Sequence, residues 1–290
     1  MNFLFNSVLF GGFFLLSKQD SEKILQFVKR EPCLIQDLSR HLDKSWVTTE
    51  SYVNKIAKET GLIRMKTFRS GTRGAIKVVY WNYAESAQSD EIRGKLFERI
   101  KSTYSKEDFD PLEAYQHVPQ GKGNVFVEIF DPATLASKKS LIDFFEHVES
   151  ELLVFSGNLS FLRYPEIKQS FSGLLKRGVQ TKLLCRVDIG TLENLKNIED
   201  LLNRFPKQFE VRHSRQPVRG FIVDGKTVRL KEERTPADFK EKEVSKNIRV
   251  LYEIYDSDWV SWFQNVFWYL FRTSVNYTER VAALEKVQLK

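Results

Sequence analysis

The side chains able to do chemistry fall into two groups along the chain. The first is a run of hydrogen-bonding residues and cations that opens at Thr48. Thr48, Thr49, Glu50, Ser51, Tyr52, Asn54, Lys55 and Lys58 would form the exposed first turn and outer face of a predicted helix. These are residue types that meet base edges, with two cations placed for phosphates. Leu62 to Trp81 then carries five cations, Arg64, Lys66, Arg69, Arg73 and Lys77, and no acid. Arg69 and Arg73 flank a glycine-rich tip, where a ribbon could meet a phosphate or the minor groove. The second group is Ser156, Asn158, Arg186, Arg219 and Asp224. They stand at strand ends or in the loops beside them, where open α/β sheets commonly bind ligands. Arg186 and Arg219 could hold an anionic or sugar-like ligand through bidentate hydrogen bonds. The competing reading pairs Arg219 with Asp224 as a structural ion pair.

Other chemistries lack their residues. His41, His117, His147 and His213 are scattered, and no pair has the helical spacing of metal ligands, so no metal is expected. Cys33 and Cys185 are too few for a zinc site and too far apart for a disulfide framework, which points to reduced thiols and a cytoplasmic setting. There is no GxGxxG, no P-loop and no GxSxG, so no nucleotide or acyl-transfer cofactor is expected.

The elements that would position these residues follow from hydrophobic spacing. Ser21 to Arg30 places Ile24, Leu25, Phe27 and Val28 on one helical face, with Ser21 as cap, and Glu31-Pro32 ends it. Leu34 to Leu42 is a second helix. Thr48 caps a third that runs to Thr60, where Gly61 stops it. Trp46, just before it, reads as a core plug. The period then switches to two: Leu62–Arg69 and Ala75–Trp81 are strands joined by SGTRG, a hairpin signal. Three helices and a hairpin within about 65 residues predict a winged helix-turn-helix over residues 17–83. A charged helical connector is expected over 84–124. From Val125 to about Tyr277, strands alternate with helices of a dozen or more residues, which predicts an α/β sandwich closed by an aromatic helix, Asp258–Ser274. That helix is apolar on more than one face, so core packing is expected of it, with part of it free to seal a dimer. Residues 278–290 read as a tail. The fold class is therefore α+β followed by α/β.

Charge separates the N-terminal domain from the rest of the chain. The chain of 290 residues has a formal net charge of +7, yet Lys18 to Tyr83 holds thirteen Lys and Arg against seven Asp and Glu. Excess positive charge in one domain is the footprint of a phosphate-backbone binder, and the winged helix is expected to bind double-stranded DNA. Residues 1–16 are apolar but lack the basic start and cleavage site of a signal peptide, and are too short and broken for a membrane span. A tail packed on the protein surface, an artefact of start-codon choice and a weak membrane anchor are the three readings, in that order.

The residues also carry a resemblance. Ser21 to Trp81, through WVTTESYVNKIAKETGLI and RSGTRGAIKVVYW, resembles the winged helices of archaeal transcriptional regulators. Leu152 to Asp224 runs through an SGN loop, then LLKRGVQTKLLCRVD, then RHSRQPVRGFIVDGKTVRL. It resembles the phospholipase D-like fold, in the form of the sensor domain of TrmB-type sugar-responsive regulators. Catalytic members of that superfamily carry His-x-Lys-x4-Asp, in which the His attacks a phosphodiester. Aligned on Asp224, this chain has Arg219 at the Lys position and Pro217 at the His position, and KEER (Lys231–Arg234) where GSxN would follow. The resemblance thus implies a non-catalytic domain that dimerises and senses a sugar or anionic effector. The alternatives are a phosphodiesterase or nuclease with His213 as a displaced nucleophile, and a DNA-organising or interaction protein without a ligand.

Overall fold

The computed structural model describes residues 16–69, 75–82, 90–130, 135–238 and 246–288. The expectations for the N-terminal tail, the hairpin tip and Arg73 fall outside these residues, as does the Arg69 side chain. Contacts divide the chain into two units, residues 1–86 and 87–290.

In the first unit, α1 (Lys18–Arg30) starts a turn earlier than its apolar spacing suggests, because Ser17 is the cap: its hydroxyl accepts the Asp20 N–H at 3.0 Å. Helix α2 (Ile35–Leu42) ends at Asp43, which turns the chain in a left-handed conformation at φ 52°. Helix α3 (Trp46–Thr60) is capped by Ser45, three residues before the expected Thr48. The Ser45 hydroxyl accepts the Thr48 N–H at 3.1 Å. Gly61 closes α3 with φ 66°, as its sequence position predicts. Strands β2 (Ile63–Arg69) and β3 (Ala75–Trp81) form the hairpin, and a two-residue strand β1 (Cys33–Leu34) joins β3 on its other side. Two residues leave no periodicity, so β1 had no sequence signal. Ile24, Val28, Ile35, Leu38, Val53, Ile56, Ile63 and Val79 fill the core.

The second unit begins with what the sequence suggests is a connector. Asp90 caps α4 (Glu91–Ser102), which buries Leu96, Phe97 and Ile100, so this helix is a packed part of the unit. Beyond the short α5 (Pro111–Tyr115), the elements are β4 (Gly123–Phe130), α6 (Leu135–Glu146), β5 (Glu151–Phe155), α7 (Pro165–Lys176), β6 (Gln180–Cys185), α8 (Leu192–Arg204), β7 (Phe209–His213), β8 (Gly220–Val223), β9 (Thr227–Arg234) and β10 (Asn247–Ile254). Helix α9 (Ser257–Thr273) follows, then β11 (Val275–Asn276) and α10 (Tyr277–Gln288). Among the described residues, eight strands form one sheet in the order β11-β7-β6-β5-β8-β9-β10-β4. Strands β5, β6 and β7 are parallel, and β8, β9, β10 and β4 continue antiparallel. The parallel half carries the runs LLVF and LLC, buried on both faces as helix-covered strands require.

Two expectations about the C-terminal region change. The aromatic helix α9 buries Trp259, Trp262, Phe263, Phe267 and Phe271 within its own unit, with Phe155 edge-on to Phe267 at 5.2 Å and Tyr269 edge-on to Phe97 at 4.9 Å. Those buried rings are not available to seal a dimer. The supposed tail is helix α10, held by buried Tyr277 and Leu284 with Val281 packed between them, an i, i+4, i+7 stripe. Among the described residues, no helix is long and apolar enough to cross a membrane.

Candidate nucleic-acid face and ligand cleft

Helix α3 sorts the first group of residues by burial. Ser51, Asn54, Lys55 and Lys58 are exposed, and with Val47 they follow i+3 and i+4 steps along one side of the helix. Thr49 and Tyr52 do not belong to that face, contrary to the sequence expectation. Thr49 is fully buried, with its hydroxyl donating to the Ser45 carbonyl at 3.0 Å, and Tyr52 packs into the core. They extend the inward stripe of Val53 and Ile56, as their i, i+3, i+4, i+7 spacing requires. Thr48 is half-buried, and its hydroxyl is 2.8 Å from that of Ser45.

Lys77 is also differently placed. It forms an ion pair with Glu50 and lies 5.6 Å from the centre of the Trp46 ring. The second strand of the hairpin is thereby tied to the start of α3. Trp46 itself is 53% exposed and Val47 58% exposed, so the expected core plug is a surface residue. Both stand in the first turn of α3, where an apolar side chain can contact a thymine methyl. Sequence reasoning missed them because large apolar residues are read as core by default.

In the second unit, Ser156, Asn158, Arg186 and Arg219 do come together, at the C-terminal ends of β5 and β6. The loop after β5 is fixed by its own hydrogen bonds. Ser156 donates its N–H to Leu184 O at 2.9 Å, its hydroxyl accepts the Leu159 N–H at 3.3 Å, and Asn158 Oδ1 accepts the Ser160 N–H at 3.2 Å. Gly157 lies beneath the Arg219 guanidinium: a Cβ there would sit 2.9 Å from Nη2, so only glycine lets the cation lie flat on the loop. Arg219 Nη1 donates to the carbonyls of Gln216 and Val218, both at 2.8 Å. Burial, then the nearby charge of Arg186, pulls the Arg219 pKa below its ordinary value, with Glu107 opposing. Arg186 reaches Asp188 at 2.9 Å.

Two cavities meet at Ser156, Arg219 and Lys231. The smaller, about 370 Å³, has an apolar wall that includes Leu141, Phe161, Tyr164 and Phe221. The larger, about 960 Å³, runs past Asn158, Arg186, Gln216 and Pro217. Gln216 is buried; its amide nitrogen Nε2 donates to Ser156 O at 3.1 Å, while Oε1 has no partner among the described residues. Four other cations on these walls are held by carboxylates. Lys231 and Arg249 share Glu233 at 3.1 Å each, Arg234 holds Glu232 at 2.6 Å, and Arg229 holds Glu253. Some of these pairs lie within β9, RLKEER, and the others form only because its register with β10 sets Arg229 opposite Glu253 and Glu233 opposite Arg249.

Asp224 is elsewhere. It follows β8 at φ 50° and opens the turn to β9, at the opposite end of β5 from Arg219. Its carboxylate accepts N–H groups of Glu149, Ser150 and Glu151 at 3.1, 2.7 and 2.9 Å, and the Ser150 hydroxyl at 2.8 Å. Burial would raise its pKa, but the N–H groups of Glu151, Ser150 and Glu149 prevail and hold it below the usual carboxylate value. The cleft therefore loses Asp224, and the Arg219–Asp224 ion pair does not form. His213 lines neither cavity. Its Nδ1 accepts the Val187 N–H at 2.8 Å, which leaves Nε2 to carry the proton of the neutral ring. Burial, with Arg280 and Arg215 nearby, lowers its pKa against the pull of Asp188. Among the described residues, no cluster of His, Cys, Asp or Glu could hold a metal ion.

No protein-family profile matches the sequence, and no curated protein is significantly similar to it. Solved structures do resemble it. Nuc from Salmonella typhimurium, a phospholipase D family member, is 14% identical, covering 53% of this chain and 98% of that one with a TM-score of 0.39. TrmBL2, an archaeal chromatin protein described as having a novel mode of DNA binding, is 17% identical and covers 91% of this chain and 96% of its own, also at 0.39. NucT from Helicobacter pylori is 14% identical over 53% of this chain and 99% of its own, at 0.39.

Proposed function

We propose that this protein is a DNA-binding transcriptional regulator of TrmB-like organisation. Its winged helix reads duplex DNA, and its second unit is a non-catalytic phospholipase D-like domain that binds a small effector and dimerises. The observation that carries the DNA reading is the exposed stripe of Ser51, Asn54, Lys55 and Lys58 on α3, within the unit that holds most of the excess positive charge. Hydrogen-bonding side chains on such a helix suit the major groove, and lysines at its edge suit phosphates. A homodimer fits this reading, because paired recognition helices require a two-fold.

The absence of catalysis is proposed on two grounds. Pro217 offers no nucleophile beside Arg219, and His213 stands outside the cleft with one ring nitrogen already bonded. The cleft would instead hold a sugar or small anion. Arg219 and Arg186 supply donors, and the unpaired Gln216 Oε1 accepts from a hydroxyl.

Titrating the full chain onto a set of duplexes at several salt concentrations tests the DNA reading. Binding is expected to weaken as salt rises, with a slope set by the number of phosphates contacted. Salt-independent or absent binding would overturn it. Repeating the titration with sugars and phosphorylated metabolites tests the effector, which is expected to shift the affinity. Equal affinity across the panel would favour a DNA-organising protein, and cleavage of labelled DNA that His213→Ala abolishes would favour the enzyme.

A further inference from the structure

The two edges of the eight-stranded sheet are unlike. One is β11, two residues long and followed at once by α10, which is the sort of short edge that resists pairing. The other is β4. It pairs with β10 over eight consecutive residues, from Gly123 opposite Ile254 to Phe130 opposite Asn247, without a bulge. Among the described residues nothing pairs with its outer side. Its sequence, GNVFVEIF, contains no Lys and no Pro, the usual guards of an open edge. Val127 is 65% exposed and Ile129 71% exposed, and Val125 and Phe126 are also exposed. The one charge, Glu128, is balanced within the chain by Arg249 at 3.5 Å.

We infer that β4 is the surface through which two copies of this chain join, by antiparallel β4–β4 pairing about a two-fold axis at Val127. This rests on the homodimer proposed above and names its contact surface. The strand is its own complement in that register. Val127 faces its symmetry mate, and Val125 faces the partner's Ile129, so one side of the junction is a stripe of β-branched residues. The stripe continues onto Val250 and Ile248, which pair with Val127 and Ile129 within each copy. On the other side Glu128 faces the partner's Phe126, so like charges are never directly opposed. An unrelated strand would need its own matching pattern, whereas an identical strand carries it and closes the edge symmetrically. The neutrality of β4 removes the repulsion that two copies of a charged edge would meet.

Cysteine substitution in the full chain, without DNA, tests both the surface and the register. Directly opposed residues of an antiparallel pair have Cα atoms about 4.5–5.5 Å apart, within disulfide reach. Both native cysteines are buried and do not compete. Val127→Cys is expected to give a disulfide-linked dimer on mild oxidation. Ile129→Cys is not, because its own symmetry mate lies about 13 Å away along the strands. Sedimentation at micromolar concentration should show a dimer for the natural chain. Val127→Lys with Ile129→Lys should give a monomer of unchanged circular dichroism, since both side chains are exposed. A monomeric natural chain, a dimeric double-lysine variant, or linkage through residue 129 rather than 127 would overturn the inference. A linked dimer that binds no DNA would instead leave this surface standing and remove the DNA reading.

Discussion

The lysines of α3 and the arginines of β9 and β10 are the same chemistry put to opposite uses. Lys55 approaches Glu59 at 3.9 Å with both side chains in water, and Lys58 is exposed. A contact of that kind is worth little and gives way readily to a phosphate. Arg229, Arg234 and Arg249 are each engaged by a carboxylate on the same or a neighbouring strand, in a partly buried belt. There the ion pairs serve the sheet. Counting cations would give the cleft of the second unit a claim on nucleic acid as strong as that of the winged helix. Their partners show otherwise: on α3 Lys58 stands exposed and Lys55 is only loosely paired, whereas Arg229, Arg234 and Arg249 of the second unit are each held by a carboxylate.

Several measurements would break or sharpen this contrast. Lys55→Ala with Lys58→Ala should lower the salt slope of DNA binding by about two, which amounts to roughly thirtyfold in affinity at 0.15 M salt. An unchanged slope would take α3 off the backbone, whereas neutralising Arg249 should leave DNA affinity unmoved. Asn54→Ala should instead change sequence preference, costing about 1–2 kcal/mol on the preferred site and little elsewhere. Equal losses on every duplex would make Asn54 a backbone contact. For Thr49 and Tyr52 the expectation reverses: Tyr52→Ala should lower the melting temperature of the first unit, and a stable variant with altered preference would contradict the burial described.

In the second unit, Asp224→Asn should cost about 1–2 kcal/mol of stability, read as an earlier thermal transition. Asparagine tolerates the left-handed backbone, so the loss would report the missing acceptor oxygen. Retained stability would mean the four hydrogen bonds contribute little. The smallest effect concerns His213. Its pKa is lowered in the folded chain, so the unfolded chain takes up the proton first as pH falls. Its contribution is therefore full above about pH 6.5 and declines below that value. The melting temperature should fall more between pH 7.5 and 5.5 for the natural chain than for His213→Gln, and equal falls would remove His213 from the account.

Much of the fold was legible because each element repeats a period long enough to read. Strand β3 and strand β8 lie where their apolar alternation ends, and α3 stops at Gly61 for the reason its backbone requires. What failed was placement across elements. By residue type Thr49 and Tyr52 belong outside, yet their spacing from Val53 and Ile56 puts them inside. Arg219 and Asp224 are five positions apart, which reads as proximity. An extended strand of four residues separates them instead, at about 3.4 Å per residue, and sends them to opposite ends of the sheet. The ion pairs between β9 and β10 were illegible for a related reason, because register across strands is not written in either strand alone.

The position of Asp224 shows a carboxylate at work as a fastener. A carboxylate that fastens a corner answers to the needs of folding, whatever chemistry the far end of the sheet performs. Its presence in a sequence is testimony to the corner, and says nothing about turnover.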